Sequence, residues 1–396
     1  MTKLKEDVFI VEPLRTPIGK FGGSLASESA VQLGSFIARE VVARSGVDRG
    51  AIDEVIFGHA RQAGAGPNPA RQICVRSGLP DTVPAYTVNQ ACASSMRAVW
   101  SGADQIRLGE AQLVLAGGTE SMSNTPYMVP RVRWGLRMGD AELIDGMTRD
   151  GFMCPLADQM MGATAENLAD RYAISREEQD TYAVESQRKA AAAWDAGFFD
   201  AEIVPYILET KKGSETFSKD EHLRPDATIE GMRKLPPVFR KDGTVHAGNS
   251  SGITDGAAAM LLANGEAVKR HGLKPSARIL GYSQAGVDPK VMGIGPVPAT
   301  RSLLADMGMT LADIDLVELN EAFAAQIIAC DRELGFDRRT LNVNGGSIAL
   351  GHPIGCTGAR ILATLVHALK RTDKSVGLAT LCVSGGMGMS MIVERV

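Results

Sequence analysis

Four short segments of the chain place reactive side chains beside glycines or at the start of a helix. In Asn89-Gln90-Ala91-Cys92-Ala93-Ser94, the cysteine falls between the end of a predicted strand and the start of a predicted helix. Unpaired backbone N–H groups and the helix dipole favour a thiolate at such a place. On this segment alone, a buried structural cysteine is an equally good reading. In Gly345-Gly346-Ser347-Ile348-Ala349-Leu350-Gly351-His352-Pro353-Ile354-Gly355, His352 sits in a loop at a helix entry, where core packing does not explain it. Four glycines in these eleven residues point to close backbone approach, to a ligand or to another segment. The run matches neither phosphate-cradling pattern, G-x-x-x-x-G-K-[ST] or G-x-G-x-x-G. Cys382 ends a predicted strand just before Ser384-Gly385-Gly386, where a small packing residue is the plain alternative. Asn320 and Glu321 put a carboxamide and a carboxylate just after the predicted strand Leu316–Leu319, with a helix cap as the alternative for the Asn.

The elements around these segments alternate between strand and helix, which argues an α/β architecture with a layered sheet. The pattern predicts helices over 28–45, 94–108 and 356–370, and strands at 52–58, 84–89, 112–116 and 376–381. The order repeats. Gly46 precedes Ile52 as Gly308 precedes Ile314, Leu341–Asn344 parallels Thr87–Asn89, and the 356–370 helix parallels 94–108. The closing strands end in Gly117-Gly118 and Gly385-Gly386. Cys92 belongs to the first copy and Cys382 to the second, and two pseudo-symmetric halves that bring their loop ends together would set both thiols facing one cleft. Between the copies, residues 121–246 are Met-rich, Pro-rich and charged, with one amphipathic helix opened by the Ser175/Glu178 capping box and stopped at Gly197. An insertion with its own helix reads as a substrate-shaping subdomain.

Composition narrows the function classes. With 396 residues, the chain has room for two or three domains at about 150 residues each. A formal charge of −4 argues against nucleic acid as a partner, and no apolar run is long enough to span a membrane. The six cysteines and six histidines show no paired metal-ligand spacing, so a zinc site is not expected. The start MTKLKEDVFIVEP carries no signal-peptide core, so a reducing, cytoplasmic setting with free thiols is expected.

Taken together, Cys92-Ala-Ser94, Asn320-Glu-Ala-Phe323, Gly351-His352-Pro353 and Cys382-x-Ser-Gly-Gly resemble the active-site blocks of the thiolases, the acyl-CoA C-acyltransferases. RTPIGKFGGSL, LAGGTESMS, MGATAENLA, AGNSSGITDGAAA, MGIGPVPA and GGSIALGHPIGCTGAR look like family segments in family order, so the resemblance covers essentially the whole chain. It implies a five-layered α-β-α-β-α core of two similar halves, 1–120 with 247–270 and 271–396, around a coenzyme A-binding loop domain at 121–246. It implies acyl transfer through a Cys92 thioester, either thiolysis of a 3-ketoacyl-CoA, as in β-oxidation, or Claisen condensation with acetyl-CoA. His352 would take the Cys92 proton and Cys382 would act as acid and base at C2. One oxyanion hole would use His352 and a water held by Asn320, the other the backbone N–H groups of Cys92 and Ser384. Met161, Arg224, Ala247, Ser251 and Phe323 match the positions that contact coenzyme A. No metal or redox cofactor is implied, coenzyme A thioesters being the substrates, and the partner is a second or fourth copy of the chain, with 84–118 at the interface.

Three positions depart from the family pattern: Ala93 and Ser384 stand where glycine is usual, and Met160 stands where short-chain members carry a histidine. The Met160 departure leaves room for longer or branched acyl chains. His246 before Ala247-Gly-Asn is also unusual, and a polar contact in the cleft is its expected role. Two alternatives share the implied fold. A ketoacyl synthase-type condensing enzyme would carry two His, or His and Asn, where this chain has His352 and Cys382. A non-catalytic acyl-CoA or lipid carrier would be expected to lack one of the reactive residues, and none is missing.

Overall fold

The computed structural model describes residues 6–211 and 213–396. Two of its long strands lie at the centre of one half of the sheet. Leu113–Ser121 and Thr254–Asn264 are buried along their whole length, as strands covered on both faces must be. The main sheet has ten strands: β1 (Val8–Arg15), β2 (Gly19–Lys20), β3 (Glu54–Gly58), β4 (Ala85–Val88), β5 (Leu113–Ser121), β6 (Thr254–Asn264), β7 (Pro275–Gly286), β8 (Leu316–Leu319), β9 (Val376–Val383) and β10 (Met387–Arg395). Their order is β8-β9-β10-β7-β1-β6-β5-β3-β4, with β2 beside β6. β3 runs parallel to β4 and β5, and β8 parallel to β9. The other pairings are antiparallel.

The sheet has two halves that meet at β1 and β7 through a short, irregular register, Phe9 with Arg278, Ile10 with Ala277 and Val11 with Pro275. Alternate side chains sort the layers. On β5, Leu113 and Leu115 face an outer cluster with Leu33, Ile37 and Val41 of helix Ala30–Ser45, whereas Val114 and Ala116 face inward. The inward cluster holds Met96, Val99 and Ile106 of helix Ser94–Leu108 and Ile361, Leu365 and Leu369 of helix Thr357–Arg371. It also takes Leu381 and Met391 from the other half-sheet, whose outer face packs Leu378 and Ile392 under helices Pro296–Met307 and Ala324–Leu334. The layers therefore run α-β-α-β-α, with two buried helices in the middle.

The expected duplication is visible in β3 and β8, in the two central helices, and in β5 and β9. One expected element is absent. Leu341–Asn344 forms no strand, only an isolated bridge between Leu341 and Val317. Asn342 has φ 46°, and its amide side chain replaces the ladder: Oδ1 accepts from Leu319 N at 2.9 Å and Nδ2 donates to Leu319 O at 2.9 Å. Between the halves, helix Arg176–Asp195 starts at the expected capping box, with Ser175 Oγ accepting from Glu178 N and the Glu178 carboxylate accepting from Ser175 N. The inserted region is tied to β1 by buried Arg15, which pairs with Glu202 at 2.6 Å and Asp220 at 2.8 Å.

The halves touch most closely where β5 passes the His352 loop. A Cβ on Gly118 would lie 2.1 Å from Gly355 O and 2.4 Å from Ser95 Cβ, so no side chain fits. Gly118→Ala is therefore expected to cost about 1–3 kcal/mol through overpacking. Thermal unfolding should show a midpoint several degrees lower, and an unchanged midpoint would contradict this packing.

Candidate active site

The chain leaves β4 at Val88 and turns through the 3₁₀ residues Ala91–Ala93 into helix Ser94–Leu108. Ala91 has φ 46°, a left-handed conformation that strains an alanine and aims the next side chain out of the turn. Ser94 Oγ closes the turn by accepting from Gln90 N at 2.9 Å and donating to Ala91 O at 2.6 Å. Cys92 so precedes a helix start that no side chain caps. Burial pushes its thiol above the ordinary value, and Glu120 adds to that. The Ser384 N–H, the Arg61 guanidinium and the cysteine's own N–H pull the other way without prevailing. The expected resting thiolate is thus replaced by a neutral thiol: desolvation outweighs the helix start. Ser384, despite not being glycine, does point its N–H at the sulfur.

His352 lies in the loop before helix Thr357–Arg371, fixed by Nδ1 at 2.6 Å from Thr357 Oγ1. The Thr357 hydroxyl donates its one hydrogen to Pro353 O at 2.9 Å, so it can only accept from the ring. Nδ1 carries the hydrogen and Nε2 keeps a lone pair, 3.5 Å from Asn320 Nδ2. Burial, with Arg360 and Arg61 adding, lowers the His352 pKa to about 3, so the ring is neutral at neutral pH. The cysteine and histidine therefore rest as thiol and imidazole rather than as an ion pair.

Asn320 is not a helix cap, since Phe323 precedes helix Ala324–Leu334. Its orientation comes from a buried relay in which Arg360 donates to Ser347 Oγ at 2.8 Å and Ser347 donates to Asn320 Oδ1 at 2.5 Å. This turns the amide N–H groups toward His352. Glu321 points away and acts as a junction, accepting from Tyr182 Oη, Ser186 Oγ, Asn342 Nδ2 and Ile348 N. Cys382, at the end of β9, is buried, and its thiol is pushed well up by burial and by the nearby Cys92 sulfur. Cys74, Cys154, Cys330 and Cys356 are buried and unpaired, as packing residues.

These groups share one chamber of about 60 Å³, lined by Cys92, His352, Cys382 and Ser384 together with Arg61 and Phe152. Asn320 stands behind it, against His352. Phe152, Met161, Ser251 and Phe323 are common to this chamber and to an outer cavity of about 520 Å³. Arg224 and Ala247 also line the outer cavity, so all five residues matched to coenzyme A contact lie along one path, with Lys20 and Arg224 at its rim. Met160 lines the outer cavity and not the chamber. His246 takes no part in the cleft: it is fully buried, with Nε2 at 2.6 Å from Asp180 Oδ1 and Nδ1 accepting from Gly248 N. It pins the turn at Ala247 instead. Arg61, Phe152, Ser347, Thr357 and Arg360 were not singled out from the sequence. Thr357 and Arg360 fall in or beside the glycine-rich block, but Arg61 follows β3 with no motif around it.

The family descriptions "Thiolase, N-terminal domain" and "Thiolase, C-terminal domain" match residues 8–266 and 273–395. The chain is 51% identical to the acetyl-CoA acetyltransferase of Escherichia coli (strain K12), covering 98% of both chains. It is 50% identical to that of Pseudomonas aeruginosa, covering 98% of this chain and 100% of the other. Among solved structures, the acetyl-CoA acetyltransferase of Bacillus anthracis superposes with a TM-score of 0.97 at 47% identity, covering 99% of each chain. Human mitochondrial 3-ketoacyl-CoA thiolase in complex with CoA superposes with a TM-score of 0.96 at 44% identity, also covering 99% of each.

A neutral resting thiol has a measurable signature. Because the Cys92 pKa is raised, the thiolate fraction climbs through and beyond neutral pH, and iodoacetamide labelling of Cys92 should accelerate about tenfold per pH unit. Peptide mass spectrometry after timed labelling reads this, and a rate flat from pH 6 to pH 8 would show a standing ion pair instead.

Proposed function

The chain belongs to the thiolase family and is an acyl-CoA C-acyltransferase, and we propose that it works by ping-pong transfer through a thioester on Cys92. The observation that carries this is the meeting of a nucleophilic thiol, a neutral imidazole with a free lone pair and a second thiol on one chamber. In thiolysis, the Cys92 sulfur attacks C3 of a 3-ketoacyl-CoA while its proton passes to His352 Nε2. The C2–C3 bond then breaks, its electron pair forms the enolate of acetyl-CoA, and Cys382 protonates C2. Free coenzyme A next takes the acyl group from Cys92. Claisen condensation runs the same steps in reverse, with Cys382 removing the C2 proton.

Both charged oxygens meet donors. Once protonated, His352 Nε2 is itself a donor to the enolate oxygen, beside a water held by Asn320 Nδ2. The backbone N–H groups of Cys92 and Ser384 flank the sulfur and serve the tetrahedral oxyanion. Pantetheine passes Met161, Ala247, Ser251 and Phe323, and the Arg224 guanidinium suits a phosphate. The chamber shares Phe152, Met161, Ser251 and Phe323 with the outer cavity, so its own volume of about 60 Å³ does not set the acyl length. No resident metal or redox cofactor enters this scheme.

The domain reading keeps 1–120 with 247–270 and 271–396 as the halves and 121–246 as the coenzyme A-binding loop domain. A homodimer or homotetramer joined near β4 is supported by the position of that strand at the open edge of the sheet. The cytoplasm, as a reducing compartment, suits a pair of thiols that must both stay reduced.

Thiolysis of a chain-length series beginning at acetoacetyl-CoA, followed at the enolate absorbance, tests the scheme. Cys92→Ser should form no acyl-enzyme. Cys382→Ser should still be acylated when acetyl-CoA is the donor, while carbon–carbon cleavage of the 3-ketoacyl-CoA falls about 100- to 10,000-fold. Activity surviving in Cys92→Ser would overturn the mechanism.

A further inference from the structure

Arg61 is a guanidinium on the wall of the catalytic chamber with no acid to pair with. It is only 7% exposed, and its Nε and Nη2 have no hydrogen-bond partner. No carboxylate lies within ion-pair distance of it among the described residues. Glu120, which Arg61 influences only through space, is occupied by other donors: Ala60 N, the Arg61 backbone N, Gly355 N and His59 Nε2. On its other side Arg61 borders a polar cavity of about 190 Å³, whose lining includes His59 and Arg76 and no acidic residue.

The guanidinium is held in place rather than loosely trapped. It lies 5.7 Å from the Phe152 ring centroid, and a Cβ on Gly151 would sit 2.1 Å from Nη2. Glycine at 151 is what leaves room for it. Phe152 and Gly151 also line the chamber, so the clamp faces the reaction space. Glu120 attracts this cation only through space, so its inward N–H groups remain without an acceptor, and an anion that arrives with the substrate would supply one. The planar fork of a guanidinium matches a carboxylate in two-point contact. The phosphates of coenzyme A are not that anion, because they belong at the outer rim with Lys20 and Arg224.

We propose that Arg61 selects acyl-CoA substrates whose short acyl chain ends in a carboxylate, binding that carboxylate on the chamber wall beside Phe152. The inference rests on the thiolase reading above and adds the substrate class. The transferred group on Cys92 is then a succinyl-type half-acid, and the substrate cleaved is a 3-keto dicarboxylyl-CoA. Arg61 is a specificity residue here, with the bond-making steps unchanged.

The test compares 3-oxoadipyl-CoA with 3-oxohexanoyl-CoA, which has the same chain length and no terminal charge, alongside acetoacetyl-CoA. The wild-type protein should favour the acidic substrate in kcat/KM by at least about tenfold. Arg61→Leu should reduce that ratio by at least about tenfold, mainly through the KM of the acidic substrate, and Arg61→Lys should keep part of it. Equal or greater activity of the wild-type protein on the neutral substrate overturns the inference, and this arm needs no variant. An equal loss on both substrates in Arg61→Leu also overturns it, since the guanidinium would then act on Cys92 alone. A wild-type protein that cleaves acetoacetyl-CoA but not 3-oxoadipyl-CoA overturns the substrate class and leaves the thiolase reading intact. One that cleaves none of the three overturns the thiolase reading itself.

Discussion

One buried carboxylate holds the catalytic arrangement together. Glu120, the penultimate residue of β5 in the first half, accepts from Ala60 N and Arg61 N on the neighbouring segment and from Gly355 N in the His352 loop of the second half. Burial works against its charge, but His59, the Arg61 guanidinium and the Arg61 N–H outweigh that and hold its pKa below the ordinary value. It therefore stays ionised, and charge-assisted bonds of this kind are strong in a dry interior. The nucleophile is carried by one half and the base by the other. Their separation is set by this clamp and by the close approach of Gly118 to Gly355.

The same dryness determines the protonation pattern. Both thiols are pushed up and the imidazole is pushed down, all three chiefly by burial. Each reactive group is accordingly neutral before substrate enters, and charge exists only during bond exchange, where N–H donors await it. A neutral chamber also suits a substrate whose reacting carbon becomes a carbanion, because no standing charge has to be displaced. Arg61 is the exception: Glu120 balances its charge only through space, and its Nε and Nη2 have no hydrogen-bond acceptor.

Much of this was legible in the sequence. Periodicity located both central helices, but the glycine pairs do not mark equivalent strand ends: Gly117-Gly118 lies inside β5, whereas Gly385-Gly386 follows β9. The glycine-rich block marked His352 because a loop dense in glycine has few packing reasons to hold an imidazole. Local patterns could not show the side-chain substitution for a backbone ladder at Asn342, which depends on a strand more than twenty residues away. They likewise could not show that burial defeats the helix start at Cys92, since desolvation is a property of the assembled layers. His246 read as a cleft residue because it adjoins one, yet its ring faces Asp180. Arg61 carried no signal at all: an arginine after a strand is ordinary until its partners are seen to be absent.

The place of β1 in the sheet has a consequence for how the chain is made. β1 contains residues 8–15, yet the strands beside it among the described residues are β6 and β7, which begin at Thr254 and Pro275. During synthesis the first strand must wait for more than half of the polypeptide before it has a partner strand, and β5 keeps an open edge until β6 emerges. Such long-range pairing slows folding and leaves apolar strand edges exposed while the ribosome is still at work. The inserted region is translated during that interval, and its Glu202 and Asp220 are the first partners available to Arg15 at the end of β1. The order of translation thus gives the insertion a part in assembling the core as well as in shaping the site.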